Sequence, residues 1–161
     1  MTLKNLSGQP PVQTPARVRT LLVDDSKLMQ EFLTMLLTRE NRFELVGAAT
    51  DGRQALRSAA ALRPDLILMD VQMPILDGLE ATRMIKQFGA QVGYHPVIVM
   101  VTADDTSECR FLATAAGANG FVAKTTHLEA RLRSTLDSLF PPHHESSPLN
   151  PLEDYCESLP A

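Results

Sequence analysis

Apolar and polar positions alternate in blocks between Val18 and Phe140. Short runs rich in branched residues lie at Val18–Val23 (VRTLLV), Phe43–Ala49, Leu66–Met69 (LILM), Val97–Val101 (VIVMV) and Phe121–Ala123 (FVA). Their nearly continuous apolar character predicts five strands, most of them buried on both faces. Helix signals follow each run. Ser26 is placed to cap a helix with Leu28, Phe32, Met35 and Leu36 on one face, and Asp77-x-x-Glu80 and Thr126-x-x-Glu129 read as capping boxes. The last box opens a helix on which Leu128, Leu132, Leu136 and Leu139 form one apolar stripe. Arg63-Pro64 ends the second helix and Gly117 the fourth, while Asp104-Asp105 is placed to start the fourth, where acids suit the helix dipole. Parallel neighbours need crossovers, and crossovers cover the sheet. Five strand–helix units therefore predict an α/β fold: a doubly wound, five-stranded parallel sheet with helices on both faces and its site at the carboxyl ends of the strands.

Proline placement sets the boundaries. Of eleven prolines, Pro10, Pro11 and Pro15 precede the first strand, and Pro141, Pro142, Pro148, Pro151 and Pro160 follow the last helix. Residues 1–17 and the acidic segment 141–161 are expected to be disordered tails, because Pro-rich polar sequence buries too little apolar surface to offset its ordering entropy. The domain is expected over 18–140. At 161 residues the chain fits one domain plus tails, and 44% apolar with 21% charged residues is a soluble globular composition. A net charge of −4 argues against partners won by neutralising DNA phosphates or anionic lipid, and no apolar run approaches a membrane span. Cys109 and Cys156 match no metal or redox spacing, which suits a reduced cytoplasmic chain, with Cys109 a small helix residue. His143-His144 reads as a solvated pair.

The fold rule nominates the chemistry. The first strand ends in Asp24-Asp25, the third in Asp70, the fourth in Thr102, and the fifth leads to Lys124. Alone, each has an ordinary explanation as a cap, a turn residue or a solvated lysine. Together they fall on the one edge where this fold class binds ligands. Three carboxylates ~5 Å apart at an effective dielectric of ~20 repel by about 3 kcal/mol per ionised pair, so a cation belongs among them. Oxygen-only ligands suit Mg²⁺ better than zinc. Beside such a metal an Asp carboxylate can attack phosphorus while a lysine and a hydroxyl take up charge on the transferred oxygens, which makes Asp70 the candidate nucleophile.

With VDDS at Val23–Ser26, MDVQMPILDGLEATR at Met69–Arg83, VTA at Val101–Ala103 and FVAK at Phe121–Lys124, the chain resembles a response-regulator receiver domain, the phosphoacceptor of two-component signalling. The resemblance runs from about Arg19 to Phe140. It implies a flavodoxin-like sheet in the order 2-1-3-4-5 and the following roles. Asp70 accepts the phosphoryl group. Asp25, Asp70 and the main-chain carbonyl of Gln72 hold Mg²⁺, and Asp24 acts through water. Lys124 pairs with a phosphoryl oxygen or with Asp70. Thr102 moves toward the phosphoryl group, and Phe121 swings into the space Thr102 leaves. Met73-Pro74 shapes the loop after Asp70, and Asp77-Gly78 starts the third helix. Gln72 and Asp104 stand where the family tunes hydrolysis of the aspartyl phosphate. One departure touches Lys124: the family usually places a cis proline after this lysine, and here Thr125 follows. A cis bond before a non-proline residue costs ~2.5–4 kcal/mol, so either a trans or a strained turn aims the lysine.

The expected function is that of a single-domain response regulator, not an enzyme. Only 21 residues follow Phe140, too few for an output domain, so the expected output is protein binding or onward phosphotransfer. Expected partners are a histidine kinase or histidine-phosphotransfer protein and an effector on the surface of the fourth helix, fifth strand and fifth helix, with a phosphorylation-dependent homodimer left open and neither DNA nor membrane contact. The alternatives are the receiver of a hybrid histidine kinase, which the string around Asp70 also resembles, and a Mg²⁺-dependent phosphatase of the haloacid-dehalogenase type. The latter wants a second acid where Gln72 stands. A flavin module would find its phosphate repelled by Asp24-Asp25.

Overall fold

A computed structural model describes residues 16–142, so the expectations for the two tails, including His143, His144 and Cys156, lie outside the described residues apart from their innermost positions. Strands and helices alternate: β1 (Val18–Val23), α1 (Lys27–Thr38), β2 (Phe43–Ala49), α2 (Gly52–Leu62), β3 (Leu66–Met69), α3 (Gly78–Val92), β4 (Val97–Thr102), α4 (Ser107–Ala116), β5 (Gly120–Ala123) and α5 (Leu128–Leu139). The five strands form one parallel sheet in the order β2-β1-β3-β4-β5, the doubly wound arrangement expected from the sequence.

Each central strand feeds two cores by alternation. Leu21, Val23, Ile67, Met69, Ile98 and Met100 point to a face covered by the small residues of α2, α3 and α4, among them Ala55, Ala59, Ala81 and Ala113. Leu22, Leu66, Leu68, Val99 and Val101 point the other way, against the leucines of α1 and α5. Both faces of β3 are fully buried, which explains its unbroken apolar sequence. At the edge, β2 exposes Glu44 and leaves Leu45 only partly covered.

Four local expectations shift. On α1 the buried residues are Leu33, Leu36 and Leu37, whereas Leu28 and Met35 are exposed. Seven of its twelve residues are apolar, so periodicity admits two neighbouring stripes, and packing on the sheet selects one turned by about one residue. The Thr126-x-x-Glu129 box does not form: His127 occupies the cap position without a side-chain bond, and Glu129 instead faces Arg39 and Arg133. Asp77 does cap α3 through Glu80 N–H at 2.8 Å, but Glu80 turns to Arg83 rather than back to the cap. Helix α4 begins at Ser107 with Thr106 as its cap, later than Asp104-Asp105 suggests, because Asp104 Oδ1 accepts the Thr106 N–H within the preceding turn. Ser26 caps α1, and Arg63 and Gly117 end α2 and α4 in left-handed conformations, as the sequence indicates.

Close backbone approach fixes the loop between β3 and α3. Gly78 N–H donates to Val71 O at 2.9 Å, and a Cβ on Gly78 would lie 1.8 Å from the carbonyl oxygen of Asp70. Gly52 N–H donates to Leu76 O at 2.9 Å, and a Cβ there would lie 2.5 Å from that oxygen. The amino end of the sheet is tied by polar contacts: Tyr94 Oη donates to Pro64 O at 2.9 Å, and Lys86 Nζ donates to Pro96 O and Asn119 Oδ1. Gly78→Ala is expected to destabilise the protein by about 3 kcal/mol or more, because backbone rather than a pliable side chain must move. Urea denaturation checks it, and a loss below ~1 kcal/mol would show that the contact relaxes freely.

Candidate functional site

The site is assembled by hydrogen bonds that continue the sheet beyond its strands. Asp24 N–H donates to Ala49 O, Asp70 N–H to Val23 O and Lys124 N–H to Thr102 O, at 3.1, 2.8 and 2.7 Å. Residues just past β1, β3 and β5 are thereby held at one edge, with Thr102 as the last residue of β4 between them. Gln30 on α1 adds a brace, donating through Nε2 to Asp24 O and Ala49 O.

Asp24, Asp25 and Asp70 each bring a carboxylate oxygen to within 4.8 Å of the others. Asp24 and Asp70 are buried and Asp25 is exposed. Lys124 Nζ stands between the two buried acids, 2.6 Å from Asp24 Oδ2 and 3.1 Å from Asp70 Oδ2. All described peptide bonds are trans, Lys124–Thr125 included, so the lysine is aimed into the cluster without the family's usual proline. Burial pushes the Asp70 carboxyl above the ordinary carboxylate range; the Lys124 ammonium opposes that shift and the Asp24 charge adds to it.

The donor set fits a hard divalent cation. Asp24 Oδ1 accepts the Ser26 N–H, but Asp24 Oδ2 is buried without a well-directed hydrogen bond despite its ionic contact with Lys124. Three carboxylates against one ammonium leave an uncompensated negative charge, and the ligands offered are oxygen only. Gln72 is exposed beside Asp70.

Thr102 is fully buried and its Oγ1 accepts the Asp104 N–H at 3.2 Å. Register places Met69 opposite Met100, so Thr102 stands beside the first residues after Asp70. Phe121 lies on β5 opposite Met100 and is half-buried against the core. Met73 packs partly on that core and Pro74 is exposed. Two features carried no sequence signal. Ile75 has φ +70°, a left-handed conformation uncommon for a branched residue, at the exposed tip of the loop between β3 and α3. The Arg110 guanidinium sits 4.5 Å from the centre of the Phe121 ring. Both depend on contacts or turns that emerge only in the fold.

A family model described as the response regulator receiver domain matches residues 20–136. The chain is 42% identical over 106 residues to the chemotaxis protein CheY of Halobacterium salinarum, covering 66% of this chain and 83% of that protein. It is 38% identical over 118 residues to a protein-glutamate methylesterase/protein-glutamine glutaminase of Nocardioides sp., covering 73% of this chain but 31% of that protein. The chain thus spans about a third of the length of the methylesterase relatives it matches. In structure it resembles the CheX-CheY-BeF3-Mg complex from Borrelia burgdorferi, with TM-score 0.69 and 25% identity over 76% of this chain and 88% of that one.

A carboxyl held above its ordinary range binds more protons folded than unfolded. Its contribution to stability is present at low pH and is lost as pH rises through the raised value. Without divalent cation at neutral pH, Asp70→Asn is therefore expected to be more stable than the parent by on the order of 1 kcal/mol. The gap should shrink as pH falls toward the ordinary carboxylate range. Thermal melts across pH check both statements, and a less stable Asn variant at neutral pH would contradict the repulsion at this site.

Proposed function

The chain belongs to the response regulator receiver family of two-component signalling, and on that footing we propose that Asp70 accepts a phosphoryl group from a phosphohistidine of a histidine kinase or phosphotransfer protein. The observation that carries this reading is the cluster of Asp24, Asp25 and Asp70 at the carboxyl ends of β1 and β3, with Lys124 shared between its two buried members. The esterase and glutaminase activities named for the methylesterase relatives are not carried over, because the alignment covers only about a third of those proteins.

Asp25, Asp70 and the Gln72 carbonyl would hold Mg²⁺, with Asp24 contributing through water. Bound there, the metal would neutralise the carboxylates and the charge on the transferred oxygens. An Asp70 oxygen bonds to phosphorus as the P–N bond breaks, and the donor imidazole keeps the electron pair. Lys124, already 3.1 Å from Asp70 Oδ2, pairs with a phosphoryl oxygen. The Thr102 hydroxyl accepts one hydrogen bond and has its own proton to donate, so it can turn toward the phosphoryl group. Phe121 follows into the space that opens. The effector surface would lie on α4, β5 and α5, and a cleft of about 220 Å³ between α4 and β5, lined by Ala113, Thr114, Ala118, Asn119, Gly120 and Phe121, supports the α4 and β5 part of it. No helix among the described residues is long and apolar enough to cross a membrane.

Moving a two-state protein from 1% to 99% active requires ~5.5 kcal/mol of differential stabilisation. A charge-assisted hydrogen bond from Thr102 and the Lys124 contact supply much of that scale. Intact mass after treatment with a small acyl phosphate is expected to show one Mg²⁺-dependent phosphoryl adduct, absent from Asp70→Asn. A folded protein that takes no adduct, or an Asn variant that still takes it, sinks the assignment. Thr102→Ala is expected to be phosphorylated yet to lose most of the phosphorylation-dependent gain in partner affinity, read by titration calorimetry with the cognate effector. An undiminished gain would remove Thr102 from the switch.

A further inference from the structure

We propose that Arg110 and Asp105 form a latch that holds Phe121 in its half-exposed place and releases it when Asp70 is phosphorylated, a proposal that rests on the phosphoacceptor reading above. Arg110 lies one turn into α4, and its guanidinium covers the Phe121 ring at 4.5 Å while also pairing with Asp105 Oδ1. The pairing fixes the plane of the guanidinium over the ring. Asp105 belongs to the short link between β4 and α4, whose first anchor is the bond from Asp104 N–H to Thr102 Oγ1. Asp104 Oδ1 then accepts the Thr106 N–H, and Thr106 Oγ1 accepts the Cys109 N–H. An unbroken run of contacts thus joins the buried threonine to the start of α4 and, through Asp105 and Arg110, to the aromatic ring on β5.

When the Thr102 hydroxyl turns to a phosphoryl oxygen it ceases to accept from Asp104. The link carrying Asp105 loses its anchor, and with it goes the partner that orients Arg110. Side chains of Arg110 and Asp105 are each about two-fifths exposed, at 44% and 40%. A pair so exposed is weak, and so is a cation over a half-exposed ring, which suits a latch that biases the ring rather than locking it. Arg110 acts through Phe121 and touches none of the reacting atoms, so it is a positioning residue.

The test places 4-fluorophenylalanine at residue 121 of the full chain and records its fluorine resonance before and after treatment with acyl phosphate and Mg²⁺. In unmodified Arg110→Ala the resonance is expected to move toward the phosphorylated position, with the released fraction raised about three- to fivefold, as loss of one cation–π contact implies. Asp105→Asn, which leaves Arg110 in place, moves it the same way by less, and Arg110→Lys, which keeps the charge but has no guanidinium plane to lay on the ring, falls between Arg110→Ala and the parent. Phosphorylation of Arg110→Ala by acyl phosphate should be faster by a similar factor, with the melting temperature within a few degrees of the parent. If the parent resonance moves on phosphorylation while unmodified Arg110→Ala and Asp105→Asn both keep the parent position and rate, the latch is overturned. If mass shows no adduct on the parent, the phosphoacceptor reading fails and the release step fails with it; a common shift in the two unmodified variants then still shows that Arg110 and Asp105 hold the ring, and an unchanged resonance rejects that hold as well.

Discussion

One ammonium group shared by two buried carboxylates is the constraint around which the structure is organised. Lys124 reaches both Asp24 and Asp70, and Asp25 adds a third negative charge at the rim. Removing Asp70 from water disfavours its ionised form, and the lysine only partly offsets this. Such an edge is stable enough to fold yet short of positive charge, which is the condition under which a cation is drawn in. On the proposed function, the same deficit favours contact between the Asp70 oxygens and an electrophile whose charge the lysine would then share.

The parallel sheet makes that arrangement affordable. Two complete cores, one of small helix residues and one of leucines, bury every central strand on both faces, so the strand ends are fixed in depth and register. Asp24, Asp70 and Lys124 are then held by backbone bonds to neighbouring strands rather than by loop contacts. The glycines finish the work, since Gly78 lets α3 approach the Asp70 carbonyl and Gly52 donates its N–H to the returning loop at Leu76 O.

The central strands and the ionic site were legible in the sequence for the same reason. Burial on both faces writes continuous apolar runs, and whatever chemistry follows such runs is gathered on one edge. Legibility falls where several local choices are nearly equal. Helix α1 offers two apolar stripes, and only contact with the sheet turns Leu33 and Leu37 inward and leaves Leu28 in solvent. The start of α5 has a suitable threonine and glutamate, but Glu129 goes to Arg39 just past α1 and to Arg133 on α5, and the cap is lost. Arg110 over Phe121 could not be read at all, because it joins residues eleven apart through the meeting of α4 and β5.

Thr102 is where the polar edge and the apolar interior meet. It is fully buried, yet among the described residues its hydroxyl is engaged only by a backbone N–H of the following link, so it can change partners without leaving a charge behind. A larger polar side chain would need more partners in a space lined by β4 and its neighbours, and an apolar one would give the link no anchor. The link is also short, so a displacement at its first residue is passed to the α4 cap rather than absorbed. On the proposed function, a phosphoryl group at Asp70 would act on Phe121 through the Thr102 hydroxyl, the link from Asp104 to Thr106 and the Arg110–Asp105 pair, and the rigid sheet behind them would direct the movement to the α4 and β5 surface.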